Sequence, residues 1–173
     1  MTETALIGID ENHCQLIYGL VVANKPMRIL ELGYGLGKSF DAIENGCLYN
    51  QLPYTHVLVD DWSQWSGVEQ PIDPSANLEL HSCTEEQFVT AYQGEDFDFI
   101  VSDADHGKSH RWFGEVCSMI RPGGIGLFHD INNPNLLRCV AEARLMQMSC
   151  HVFERSSRRD ERCERGLLVV FKQ

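Results

Sequence analysis

Positive charge is scarce in this chain: 14 lysines and arginines stand against 25 aspartates and glutamates, a formal net charge of −11 over 173 residues. Binding to nucleic acid or to an anionic membrane surface relies on a basic footprint that neutralises phosphates, so neither partner is expected. Long apolar runs are missing too. The longest, near Leu16 to Ala23, falls far short of the ~20 residues that span a bilayer. No basic and apolar leader opens the sequence, which makes the cytoplasm the expected compartment. The seven cysteines (Cys14, Cys47, Cys83, Cys117, Cys139, Cys150 and Cys163) are odd in number, widely spaced and without a C-x-x-C pair. They read as reduced, mostly packed thiols rather than a disulfide framework or a zinc site. There is no internal repeat. The only local basic excess, Arg155 to Arg165, interleaves five arginines with acids and reads as a solvated loop.

What is present is the composition of a soluble globular protein, 43% hydrophobic and 23% charged, of a length suited to one domain. The periodicity predicts a leading helix at about 11–24, with Cys14, Ile17, Tyr18 and Val21 inward behind Asp10 as N-cap, and a core at 27–173. Strands are expected at Arg28–Leu32, His56–Val59, Leu78–His81, Phe97–Val101 and Ile125–Phe128. A helix runs from the turn after the first strand through about Glu44. Another carries Trp112, Phe113, Val116, Met119 and Ile120, and Arg121-Pro122-Gly123-Gly124 breaks it. Asn133-Pro134 opens a further helix with Leu137, Val140, Ala141, Leu145 and Met148 inward. Two strands, about His151–Arg155 and Leu167–Lys172, close the chain with no helix between them. The alternation predicts an α/β, doubly wound and mostly parallel sheet, and the direct connection predicts an antiparallel C-terminal hairpin.

The first strand runs into Glu31-Leu32-Gly33-Tyr34-Gly35-Leu36-Gly37-Lys38-Ser39. Alternating glycines at a strand-to-helix turn permit positive backbone angles and a close approach of a ligand to the main chain. A dinucleotide fingerprint would put its third glycine at Lys38, and a Walker A loop would need one more residue before Gly37-Lys38-Ser39, so both fail by one. The pattern that fits is E-x-G-x-G-x-G. It resembles motif I of the class I methyltransferases that use S-adenosylmethionine (SAM), a fold with a seven-stranded Rossmann-like sheet ending in an antiparallel hairpin. That resemblance implies that Gly33, Tyr34, Gly35 and Gly37 cradle the methionine end and ribose of SAM, and that Glu31 helps hold the methionine ammonium.

In an open parallel sheet, ligands collect outside the carboxyl ends of the strands. There the second strand offers Asp60 or Asp61, with Asp60 favoured to accept the ribose hydroxyls. The third offers Ser82 and Cys83, which match the positions bordering adenine in the family. The segment Val101-Ser102-Asp103-Ala104-Asp105-His106 resembles strand four of the metal-dependent catechol and caffeoyl-CoA O-methyltransferases. By that resemblance Asp103 binds a divalent metal, and His106 stands where the family has a lysine proposed as base. Histidine, with an ordinary pKa of about 6.5, suits proton removal near neutrality. The family completes its metal site with Asp-Asn after strand five. Here Asp130 matches the acid but Ile131 replaces the asparagine, leaving Asn132, His129 or Asp105 to supply the third ligand for Mg²⁺ or Mn²⁺. Without a metal, Asp103 and Asp130 contact SAM or cap helices.

The expected activity is SAM-dependent methylation of an oxygen on a small molecule, with Asp103 and His106 as catalytic residues. A SAM-binding module without catalysis and an NAD-dependent oxidoreductase are the alternatives. Trp62, Trp65 and Tyr34 are candidates for lining an acceptor pocket, and a homodimer that completes so small a site is plausible.

Overall fold

The computed structural model describes residues 9–63, 77–105, 107–131, 133–153 and 166–173. Along the chain run α1 (Glu11–Asn24), β1 (Arg28–Leu32), α2 (Lys38–Asn50), β2 (Thr55–Val59), β3 (Leu78–His81), α3 (Glu85–Ala91), β4 (Phe97–Ser102), α4 (Phe113–Ser118), β5 (Ile120–His129), α5 (Pro134–Leu145), β6 (Ser149–Phe153) and β7 (Leu167–Phe171). The strands form one seven-stranded sheet in the order β3-β2-β1-β4-β5-β7-β6. The first five pair in parallel, and β7 runs antiparallel between β5 and β6. The expected doubly wound sheet and terminal hairpin are both present.

Helices on both faces explain why the inner strands read as unbroken apolar runs. On one face α1 and α2 bring Ile17, Val21, Ile43 and Cys47 against Ile29, Phe99, Val101 and Leu127. On the other, α3, α4 and α5 bring Phe88, Phe113, Val116, Leu136 and Ala143 against Leu30, Val57, Ile100, Phe128 and Val170.

Several expectations need correction. Tyr18 is exposed, and His13 takes the inward place beside Cys14, Ile17 and Val21. The second helix continues past Glu44 to Asn50. A short helix that hydrophobic periodicity does not announce, α3, is set by a capping box in which Thr84 and Gln87 exchange side-chain and backbone hydrogen bonds. On α5, Leu137 and Leu145 are exposed while Leu136, Cys139 and Ala143 are buried, so the inward face is rotated from the expected one.

Arg121-Pro122-Gly123-Gly124 is not a break before β5 but a bulge within it: Phe97 pairs with Ile120 and Phe99 with Ile125. Pro122 has no amide hydrogen for the ladder and Gly123 takes φ +82°, the two properties a bulge accommodates. Opposite the bulge, the buried carboxylate of Asp98 accepts from the backbone N–H of Met27 and Arg28 at 2.6 and 2.8 Å and pairs with Arg121. Among the described residues, no helix is long and apolar enough to cross a membrane.

Candidate active site

The three glycines after β1 all take positive φ: +90° at Gly33, +54° at Gly35 and +76° at Gly37. At Gly33 the requirement is also steric, because a Cβ there would lie 2.6 Å from the backbone carbonyl oxygen of Asp103. The close approach at that position is therefore made by the end of β4, and the Asp103 N–H donates to the carbonyl of Leu32 at 2.8 Å. Gly33→Ala combines a strained backbone with a backbone clash, and we expect it to destabilise the fold by about 1–3 kcal/mol. Urea denaturation reads this directly, and an unchanged midpoint would contradict the packing described.

Asp60 lies against this turn. One of its carboxylate oxygens accepts the N–H of Tyr34 and the other accepts that of Trp62, both at 2.7 Å. Asp61 is exposed and turned away, accepting from the backbone N–H and hydroxyl of Ser63, which together hold its carboxyl below the ordinary range. Of the two, Asp60 is the acid held against the glycine turn. The Tyr34 and Trp62 rings meet at 5.3 Å, so these two candidates for an aromatic wall do come together, while Trp65 lies outside the described residues. The Asp60 N–H donates to the carbonyl of His81 at 3.2 Å, which sets the end of β3 alongside. Beyond it Ser82 is exposed and Cys83 half-buried.

Glu31 lies beneath the turn rather than on it. Strand alternation sends its side chain to the α2 face, where it is fully buried. The Ser39 hydroxyl donates to one oxygen, and His56 Nε2 lies 3.2 Å from the other. His56 Nδ1 reaches Glu44 at 2.7 Å, Tyr54 donates to the same carboxylate at 2.6 Å, and Phe40 stacks on the imidazole at 5.2 Å. Burial alone would lower the pKa of His56, but Glu31 and Glu44 outweigh it and push it up to about 9; burial also pushes Glu31 up. We assign the proton to the imidazole, which has a carboxylate on either side.

The folded chain binds more protons here than the unfolded one, so the stability His56 contributes is complete below pH 6.5 and is lost as pH rises through about 9. Urea midpoints therefore fall between pH 6.5 and 9, and fall less in a Glu31→Leu/His56→Leu double variant.

The ends of β4 and β5 bring together a second cluster. His129 Nδ1 lies 3.0 Å from Asp103 Oδ1 and 3.5 Å from Asp130 Oδ1. Ligand atoms of these three side chains all lie within 4.8 Å of one another, a set able to hold a metal ion. Asp130 takes φ +53°, a left-handed turn at the strand end. Burial would lower the pKa of His129, but Asp103 foremost and then Asp130 push it up to about 9. Its other nitrogen, Nε2, lies 3.1 Å from His13 Nδ1 on α1, and His13 lies 3.9 Å from Asp10.

Of the residues left open for a third ligand, Asp105 instead shapes its own loop, accepting from the Gly107 N–H at 2.9 Å and pairing with Lys108. Ile131 is buried core. His106 and Asn132 lie outside the described residues, as do Arg155 to Arg165 and most of the Trp62–Ala76 loop. Sequence reasoning missed His13. The available signal was a histidine on the buried stripe of α1, one turn before Ile17. A pocket between these strand ends and α5 is lined by Asp103 and His129 together with Phe113, Phe128 and Leu136.

A family model described as "Methyltransferase domain" matches residues 30–131. No curated protein matches the sequence. Among solved structures, the chain is similar to an O-methyltransferase from Bacillus cereus in complex with SAH, with a TM-score of 0.72 at 16% identity, covering 95% of this chain and 83% of that one. It is similar to the O-methyltransferase TomG of Streptomyces achromogenes in complex with SAM, with a TM-score of 0.68 at 14% identity over 96% and 82%. It is also similar to a candidate caffeoyl-CoA O-methyltransferase from Staphylococcus aureus, with a TM-score of 0.65 at 12% identity over 96% and 86%.

Proposed function

Because the chain belongs to the methyltransferase-domain family, its chemistry is methyl transfer, and we propose that SAM is the donor, that the acceptor is an oxygen of a small molecule, and that Asp103 and Asp130 hold a divalent cation beside it. The observation that carries this reading is the position of Asp103. Its backbone packs on Gly33 of the glycine turn, while its side chain meets His129 next to Asp130. One residue thus joins the cofactor turn to the acidic pair. The neighbours solved with SAM and SAH support the same donor.

SAM supplies a methyl group already activated by its sulfonium, so the protein's task is alignment and proton removal. Asp60, braced by two backbone N–H groups, keeps lone pairs on both oxygens for the ribose hydroxyls. Glu31 acts from below, fixing Ser39 and with it the first turn of α2. Asp103 and Asp130 would hold a divalent cation, and such an ion would lower the pKa of an acceptor hydroxyl bound to it. His106, three residues beyond Asp103, takes the acceptor's proton. Phe113, Phe128 and Leu136 are packed core behind Asp103 and His129 and close that side of the acidic pair to water.

Calorimetric titration with SAM, NADH and ATP tests the donor. SAM alone binds, and Asp60→Ala weakens it about 10- to 100-fold, the loss of hydrogen bonds to a charged group. NADH or ATP binding in place of SAM would overturn the assignment of the glycine turn.

A further inference from the structure

Resting on the reading that Asp103 and Asp130 hold a cation, we propose that His129 is the third protein ligand of that ion through Nδ1, and that His13 fixes the His129 ring for this task. The ion is then of the Mn²⁺ class rather than Mg²⁺.

The geometry of the strand ends supports the ligand. Atoms on adjacent corners of an octahedron with bonds of ~2.1 Å lie about 3.0 Å apart. His129 Nδ1 stands 3.0 Å from Asp103 Oδ1 and 3.5 Å from Asp130 Oδ1, edge lengths close to that spacing, and ligand atoms of all three side chains lie within 4.8 Å of one another. Of the other two candidates, Asp105 is held by Gly107 and Lys108, and Asn132 lies outside the described residues. β5 alternation explains why histidine can fill the place. Phe128 points into the α5 side, while Leu127 and His129 lie on opposite sides of it in sequence and share the α1 face.

The other ring nitrogen sets the orientation of His129. A metal-bound histidine needs an acceptor for its remaining N–H, which fixes the tautomer and the ring orientation. His129 Nε2 faces His13 Nδ1 at 3.1 Å, with the two rings at 78°. For His129 to present the Nδ1 lone pair to the ion, its proton sits on Nε2 and His13 accepts it. His13 is therefore the tautomer protonated at its own Nε2. Its ring is buried on α1, which limits its reorientation. Helix α1 thus joins the site through a positioning residue that touches neither donor nor acceptor. Two carboxylates and one imidazole favour Mn²⁺ and other first-row transition ions over Mg²⁺, which prefers oxygen.

The first test uses the unaltered protein loaded with Mn²⁺. Pulsed electron paramagnetic resonance detects one directly bound ¹⁴N. In calorimetry Mn²⁺ binds at least about 10-fold tighter than Mg²⁺, and His129→Glu, which restores an all-oxygen site, removes that preference. His13→Leu weakens Mn²⁺ binding about 10- to 100-fold, whereas His13→Gln, whose amide oxygen still accepts from His129, recovers most of it. Bound Mn²⁺ without a nitrogen signal overturns the third ligand while leaving the acidic pair as the cation site. Two nitrogen signals, with His13→Gln as damaging as His13→Leu, place the ion between the two imidazoles and overturn the positioning role. Absence of any cation binding by the wild type removes the underlying reading itself, an outcome distinct from the other two.

Discussion

Asp103→Ala lowers kcat/KM for methyl transfer by about 10³-fold, the scale of removing one preorganised electrostatic contact from a reaction centre. The substitution deletes the carboxylate that faces His129 but spares the backbone carbonyl that packs on Gly33. The variant also loses the carboxylate that foremost raises the pKa of buried His129, so its thermal midpoint falls at neutral pH, while SAM binding persists and turnover collapses. Asp103→Asn sharpens the result, since it keeps an oxygen for His129 while removing the charge, and it loses nearly as much. Release of S-adenosylhomocysteine with the acceptor found by screening, measured with and without a chelator, supplies the numbers. Full activity in Asp103→Ala would sink the assignment of this residue, and chelation without effect would remove the cation from the scheme.

The largest loss of stability comes from His56→Leu, at about 3–5 kcal/mol. The imidazole is wholly buried between Glu31, also wholly buried, and Glu44, whose side chain keeps some exposure to water. Removing it leaves Glu31 with the Ser39 hydroxyl as its remaining hydrogen-bond donor in a site closed to solvent. The loss exceeds that of a cavity because an uncompensated buried charge is the more expensive defect. Adding Glu31→Leu to His56→Leu recovers a large part of it. Urea denaturation of both variants at pH 7 checks the comparison. A double variant no more stable than the single one would show that the network contributes mainly through packing, with Phe40 stacked on the ring.

The parts of this fold that were legible from sequence are those governed by local rules. The glycine turn follows from its spacing, and the parallel sheet with its closing hairpin follows from the alternation of elements. Asp60 is favoured over Asp61 from the inward alternation of Val57 and Val59 and a resembling V-D-x-W turn, and in the structure its carboxylate accepts from the Tyr34 and Trp62 N–H groups. The misses share another origin. On α5 the stripes through Leu136 and Leu137 are one residue apart, and periodicity alone does not choose between them. The Arg121–Gly124 run carries the residues of a breaker, and only the register of β4 against β5 turns it into a bulge. Glu31 is an acid beside a glycine motif, which suggests a ligand contact, yet it shares a strand face with Ile29 and is directed into the α2 layer. The His13–His129 contact spans 116 positions, and no local pattern encodes a pair that distant.

The place of β7 in the sheet bears on how this chain is made. Leu167–Phe171 is inserted between β5 and β6, so it is an interior strand rather than an edge, and Leu167 to Val170 are all buried. On a translating ribosome, β1 to β5 and the helices that cover them emerge well before this segment does. Until it leaves the exit tunnel, the edge of β5 stays open and β6 has no neighbour to pair with. Until β7 emerges, the nascent protein thus carries an unpaired apolar strand edge, a state in which chaperone binding and strand exchange between neighbouring chains compete with completion of the sheet.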